Sequence, residues 1–357
     1  MSVLIRRFDW QLIVAICILG VASFLALSSI NPELAIRQIV WYLLGFIVMF
    51  AVAYFDWRPF INEKGFVLGI YIFSISLLAL TYFFQPLQGA NRWIIAGPLQ
   101  FQPVELVKVA LIIAFAYFFA RRHVSMGRFL NILKSFTLLV LPVTLVVFQP
   151  DLGSAMILLA IWAGFLLISG IRWRHLVVAI VIAVIAAFFM WNQVLHEYQK
   201  ERVVGLFFPE YDPLGINYNV IQAKISIGSA GFFGKGFGQG TQLQLGFLPE
   251  AEHDFIFAAF TEEWGLAGAF VLLATSLFVM LRIIKIGSTV GGNFFRFVCL
   301  GTAVLFLSHF VLNVGSNLGL TPAVGITYPF LSYGGSSILT SFLLIGMIQG
   351  IAARLRT

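Results

Sequence analysis

Ten stretches of this chain are each close to one bilayer crossing in length and nearly free of charge: 10–29, 36–55, 65–84, 104–120, 130–148, 152–170, 174–195, 255–281, 294–316 and 333–352. A helix needs roughly 20 apolar residues to cross the hydrocarbon core. Hydrophobic residues make up 60% of the 357 positions and charged ones 10%, where soluble domains carry about 25% charged residues. Helices of a soluble all-α protein would show a polar stripe at helical period, and these runs show none. The expected fold is therefore an all-α polytopic membrane protein with about ten transmembrane helices. It forms a single transmembrane domain over 1–357. The first run is too long for a cleavable signal core of about 7–15 residues and reads as an anchor. Cys17 and Cys299 both fall inside runs and supply neither a disulfide framework nor metal-ligand spacing.

The basic residues fix an orientation. With the N-terminus in the cytoplasm, fifteen of the 22 Lys and Arg fall in cytoplasmic segments and six in outer ones, with Lys108 inside a run. Four of the six (Lys200, Arg202, Lys224 and Lys235) share one long loop, which counts for little in the positive-inside rule. Both ends are expected inside, in a bacterial inner or plasma membrane. The net charge of +7 is thus a topology signal. Nucleic acid is not an expected partner, because no clustered basic face is visible. Acidic residues gather on the other side (Asp151, Glu197, Glu201, Glu210, Asp212, Glu250, Glu252 and Asp254), so carboxylate chemistry is expected at the outer face.

Three outer segments exceed the usual loop length: 85–102, roughly 196–253 between the seventh and eighth helices, and 315–332. Loops beyond about 12–15 residues are commonly functional or disordered, and these are too apolar and aromatic for disorder. They are expected to fold onto the outer mouth, with short helices in the long one.

Several residues there have the right chemistry for a site. Asp254 enters the eighth helix beside apolar Phe255, Ile256 and Phe257. Desolvation raises the pKa of such a carboxyl and the helix dipole lowers it; as a base it would accept a proton near neutral pH, and as a helix N-cap it would be structural. His253 is either its partner or a loop residue. Glu105 and Lys108, three apart, share one helix face at membrane depth; they either pair or line a polar cavity. Asp151 follows Pro150 and is either an N-cap or a cation site. Arg92, Arg202 and Lys224 are outer cations, and Arg92 stands out between Asn91 and Trp93. The stretch 228–241, GSAGFFGKGFGQGT, lacks the first glycine and the hydroxyl residue of a phosphate loop; its glycines suit a tight turn at φ > 0 lying over the mouth.

Taken together, GANRWI, QPVELVK, QPDLGS, YQKERV, DPLG, IQAKISIGSAG, GKG, GTQ, FLPE-x-x-x-DFIF and PFLSYGGSS resemble the signature of the SEDS family (shape, elongation, division and sporulation), in its RodA branch rather than FtsW. The resemblance covers nearly the whole chain. It implies a peptidoglycan glycosyltransferase that polymerises lipid II, the disaccharide-pentapeptide on undecaprenyl diphosphate, in cell elongation and shape maintenance. Asp254 matches the family's essential acid, and Arg92, Glu105, Lys108, Asp151, Arg202 and Lys224 fall on other motif positions. Val104, Ala223, Ala230 and His253 depart from the usual residues. An α-linked donor giving a β-linked product implies one inverting displacement, with Asp254 as base. Cationic side chains or a divalent cation (Mg or Mn) would balance the diphosphate; no organic cofactor is implied. The implied partners are lipid II, membrane lipid and a class B penicillin-binding protein that cross-links the strand. Two other readings stay open: a flippase for the same lipid, and a scaffold without activity.

Overall fold

Short polar residues start the helices. The Asp9 carboxylate accepts the N–H of Leu12 and opens α1 (Trp10–Ile30). Asn31 ends α1 and caps α2 (Pro32–Tyr54), whose Pro32 takes the first-turn position where no N–H is needed. α3 (Lys64–Leu80) runs into a 3₁₀ turn at Thr81–Phe83. The strands β1 (Ile94–Ala96) and β2 (Leu99–Phe101) pair antiparallel, Ile94 opposite Phe101. The hairpin leads into α4 (Pro103–Ala120), then α5 (Phe129–Phe148), α6 (Leu152–Ile168) and α7 (Trp173–Gln193). The computed structural model describes residues 7–60, 63–84, 91–96, 99–122, 129–193, 195–208 and 210–355. Arg6, Arg128 and Arg356 of the charge count, and 85–90 and 97–98 of the first outer segment, lie outside the described residues.

The long loop contains α8 (Glu197–Phe207), α9 (Tyr218–Ser229) and the single turn α10 (Thr241–Gln244). Three long elements close the chain: α11 (Ile256–Thr289), α12 (Asn293–Asn317) and α13 (Gly335–Leu355). Among the described residues, eight helices are long and apolar enough to cross a membrane: α1 to α5 and α11 to α13, with the turn at 81–83 extending α3. α6 is apolar but shorter, and α7 occupies the expected seventh run. α4 and α13 form the centre, 78% and 83% buried along their apolar windows, while α2 is only 22% buried and faces outward. The chain is therefore a multi-pass membrane protein with a central pair of helices wrapped by lipid-facing ones.

One irregularity matters for the site. α11 is 34 residues long and breaks at Gly265, φ 70° and ψ −173°. An unbroken helix would join the Glu262 and Glu263 carbonyls to the N–H groups of Leu266 and Ala267. Here the glycine-rich loop supplies all four partners. Lys235 N–H and Gly236 N–H donate to the Glu262 and Glu263 carbonyls, and Leu266 N–H and Ala267 N–H donate to the Gly231 and Phe232 carbonyls, each at 3.0 Å. The fit requires glycine, since a Cβ on Gly265 would lie 2.6 Å from the Phe232 carbonyl carbon. The buried Glu262 carboxylate then clamps the loop, accepting from Lys235 Nζ at 2.7 Å and from the N–H of Gln242 at 2.9 Å.

Candidate active site

Asp254 lies just before α11 and does not cap it: the cap position is Phe255, with no side-chain bond. Glu250, in the left-handed region at φ 53°, turns the chain, and its carbonyl accepts the N–H groups of His253, Asp254 and Phe255 at 3.1–3.2 Å. The Asp254 carbonyl accepts from Asn313 Nδ2 at 3.0 Å and Asn317 Nδ2 at 2.9 Å, both on α12. Its flank is strapped to the last loop: Ser332 Oγ donates to the His253 carbonyl at 2.6 Å, His253 Nδ1–H donates to the Tyr333 carbonyl at 2.9 Å, and Tyr333 N–H donates to the Glu252 carbonyl at 2.9 Å. The backbone is thus held on three sides, while among the described residues no hydrogen bond reaches the carboxylate. Desolvation raises this carboxyl from 3.8 to about 6; the charges of His253, Arg202 and Arg92 pull it down, and Glu250 pushes it up. Gly325, at φ 73°, leaves the space in front of it open, since a Cβ there would come 3.6 Å from Oδ2.

Beside Asp254 lies a small open cleft between α8, α9 and the segment 319–323, lined by Arg202 and Lys224 and by no carboxylate. Arg202 Nη1 donates to the Ala323 carbonyl at 2.9 Å, which pins one tip of the guanidinium; its other donors have no hydrogen-bond partner among the described residues. Lys224 packs over Gly319, where a side chain would collide with its ammonium. The cleft suits an anionic group, and it adjoins the carboxylate closely enough for the charge of its Arg202 to act on Asp254.

Of the other expected site residues, Arg92 is near enough for its charge to act on Asp254, and each makes bonds of its own. Arg92 donates to the Gln149 carbonyl at 3.3 Å and to the Pro150 carbonyl, tying the first outer segment to the α5–α6 turn. Asp151 is buried and caps α6, with one oxygen on Ser154 N–H at 3.0 Å and the other on Ser154 Oγ at 2.8 Å. Of the two readings open for it, the cap is the one seen. Glu105 and Lys108 pair at 2.8 Å inside the bundle, and Lys108, 1% exposed, also meets His309 Nε2 at 3.1 Å. The His309 Nδ1–H donates to the Thr327 carbonyl at 3.0 Å, so Nε2 is the acceptor for Lys108. A small cavity next to the pair is lined by Glu105, His309, Ser337 and Thr340 but not by Lys108. The ammonium is committed to its two partners.

Asn313, Asn317 and His309 did not emerge from the sequence reading. Their signal was present: polar residues four apart on one face of an otherwise apolar helix, in LSHFVLNVGSN.

The fold and site define a multi-pass membrane protein whose bundle carries, at one end, a desolvated carboxylate beside a cleft lined by two cations. The chain belongs to the FtsW/RodA/SpoVE family of cell cycle proteins, whose profile it matches over residues 3–357. It is 34% identical over 346 residues to the peptidoglycan glycosyltransferase MrdB of Escherichia coli K12, covering 96% of this chain and 92% of that one. It is 27% identical to the peptidoglycan glycosyltransferase RodA of Treponema pallidum, covering 98% of each. Among solved structures it resembles a chain of a peptidoglycan synthase complex that coordinates polymerization and crosslinking, at TM-score 0.83 and 30% identity over 97% of both. It also resembles the rod shape determining protein RodA of Thermus thermophilus, at TM-score 0.72 and 26% identity over 98% of both.

Proposed function

We propose that Asp254 is the general base of a peptidoglycan glycosyltransferase that polymerises lipid II in cell elongation, at the outer face of a bacterial inner or plasma membrane. The observation that carries this reading is a carboxylate without a hydrogen-bond donor, raised to about 6, next to an acid-free cationic cleft. The acceptor sugar hydroxyl attacks the donor's anomeric carbon, and its proton passes to Asp254 as the C–O bond to the diphosphate breaks. One displacement inverts the centre, so no carboxylate nucleophile is needed. Arg202 and Lys224 stabilise the charge gathering on the departing undecaprenyl diphosphate. The base and the cleft are held by one loop, so nucleophile and leaving group are oriented together.

Among the described residues no three His, Cys, Asp or Glu side chains converge, and the charged side chains lining the cleft, Arg202 and Lys224, are both cations. This donor set does not fit a resident metal. A Mg or Mn ion would come in on the diphosphate, as part of the substrate. The family and the likeness to a complex that polymerises and crosslinks support a transpeptidase partner, a class B penicillin-binding protein. A flippase would need a continuous polar path, whereas the charge of the bundle interior at Glu105 and Lys108 is a closed pair.

The test is polymerisation of labelled lipid II by the purified protein with Mg present. The wild type is expected to make glycan polymer, and Asp254→Asn none, with unchanged expression and melting at acid pH. Full activity in Asp254→Asn overturns the assignment; lipid scrambling in vesicles without polymer favours the flippase.

A further inference from the structure

The glycine-rich loop is a motif that the proposed chemistry leaves unused. Gly231, Gly234, Gly236 and Gly238 all have positive φ, and the chain they shape is spliced into α11. Its polar groups face inward: Lys235 sends its ammonium to Glu262 and to Thr241 Oγ1, at 2.7 Å each. What faces outward is aromatic, with Phe232, Phe233 and Phe237 exposed by 63%, 82% and 52%.

The helix sets the depth of this loop. Gly265 lies 17 positions before Arg282, roughly 25 Å of helix axis. Arg282 pairs with Asp9 at the far end of the bundle and marks that boundary of the apolar layer, which is about 30 Å thick. The splice therefore falls about 5 Å inside the opposite boundary, on the side of Asp254. Three further observations agree. The exposed side chains that follow the splice on α11 are Leu266, Phe270 and Val271, continuing the same apolar surface. The loop's backbone meets the helix through four ordered hydrogen bonds, the condition for non-helical chain at membrane depth. Within residues 231–238 the one charged side chain, Lys235, is the one bonded to Glu262 and Thr241.

We propose that residues 231–238 form a membrane wedge, with Phe232, Phe233 and Phe237 seated among the acyl chains of the leaflet nearest Asp254. The loop that carries Arg202 and Lys224 is then anchored to the bilayer as well as to the bundle. Because the wedge is bonded directly to α11, its height in the leaflet sets the height of the segment leading to Asp254. The occupant is lipid rather than a protein helix, because the surface is continuous with the lipid-facing side of a spanning helix.

The test uses the full chain in nanodiscs of phosphatidylglycerol and phosphatidylethanolamine, with Cys17→Ala removing the exposed thiol. A nitroxide is placed by Phe233→Cys or, in a second variant, by Phe237→Cys, with Glu210→Cys as an exposed polar reference. Power saturation is read with oxygen, which partitions into lipid, and with a nickel chelate, which stays in water. Both wedge positions are expected to favour oxygen over nickel several-fold, and position 210 the reverse. Nickel accessibility at 233 and 237 equal to that at 210 places the loop in water and overturns the wedge. Shielding from both reagents means that protein covers it, and overturns the lipid assignment equally.

Discussion

If Asp254 is the base, polymerisation must fail in acid along a titration that belongs to this one carboxyl. Its pKa is raised from 3.8 to about 6, so ionising it in the site costs about 3 kcal/mol more than in water. At pH 7 roughly nine-tenths of the molecules carry the base form, and at pH 5 about one-tenth. The initial rate at saturating lipid II should therefore fall about tenfold across that interval. Neighbouring charges give the profile a signature. Arg202→Gln removes a charge that holds the pKa down and should move the midpoint up; Glu250→Gln removes one that holds it up and should move the midpoint down. Stability runs the opposite way from activity. The folded site binds the proton more tightly than the unfolded chain, so this stabilising contribution is complete below about pH 4 and lost as pH rises through 6. Asp254→Asn should accordingly melt higher than wild type at pH 7, by up to about 3 kcal/mol, and equally at pH 4. A rate that stays level from pH 7 to 4.5, or a midpoint indifferent to both charge variants, refutes the reasoning.

Other outcomes follow from the packing. Lys108→Met strands the buried Glu105 carboxylate and should cost about 3–5 kcal/mol, largely recovered by adding Glu105→Gln; a single variant with wild-type melting would show that the pair stabilises nothing. His309→Gln can still accept from Lys108 and donate to the Thr327 carbonyl, so it should keep its melting temperature and activity where His309→Ala loses both, and equal behaviour of the two excludes the bridge. Gly265→Ala puts a Cβ against the Phe232 carbonyl at a positive φ, a strain of about 1–3 kcal/mol, and should speed amide exchange at Leu266 and Ala267.

The spans were legible because lipid demands an unbroken apolar run, and the long elements fall where those runs do. The end of α11 was read at residue 281 and lies at Thr289, because Arg282 and Lys285 look like loop residues until the Asp9 partner is seen. The desolvation of Asp254 could be read from its apolar flank. That it is not a cap could not, since the choice between Asp254 and Phe255 is made by the turn at Glu250. The pairing of Glu105 with Lys108 followed from spacing, but its third member lies 201 positions away. The glycines announced a turn at φ > 0, yet the splice into α11 is a backbone-to-backbone union between distant segments and leaves no side-chain pattern.

Asp9 does more than open the first helix. Its carboxylate takes Arg282 Nε at 2.9 Å on each oxygen, and its backbone N–H and carbonyl bond both ends of the Gln349 amide, at 2.8 and 3.0 Å across 340 positions. The first span therefore receives its final partners only after the last has been synthesised and inserted. A chain that ends before residue 349 leaves the Asp9 backbone without both of these bonds.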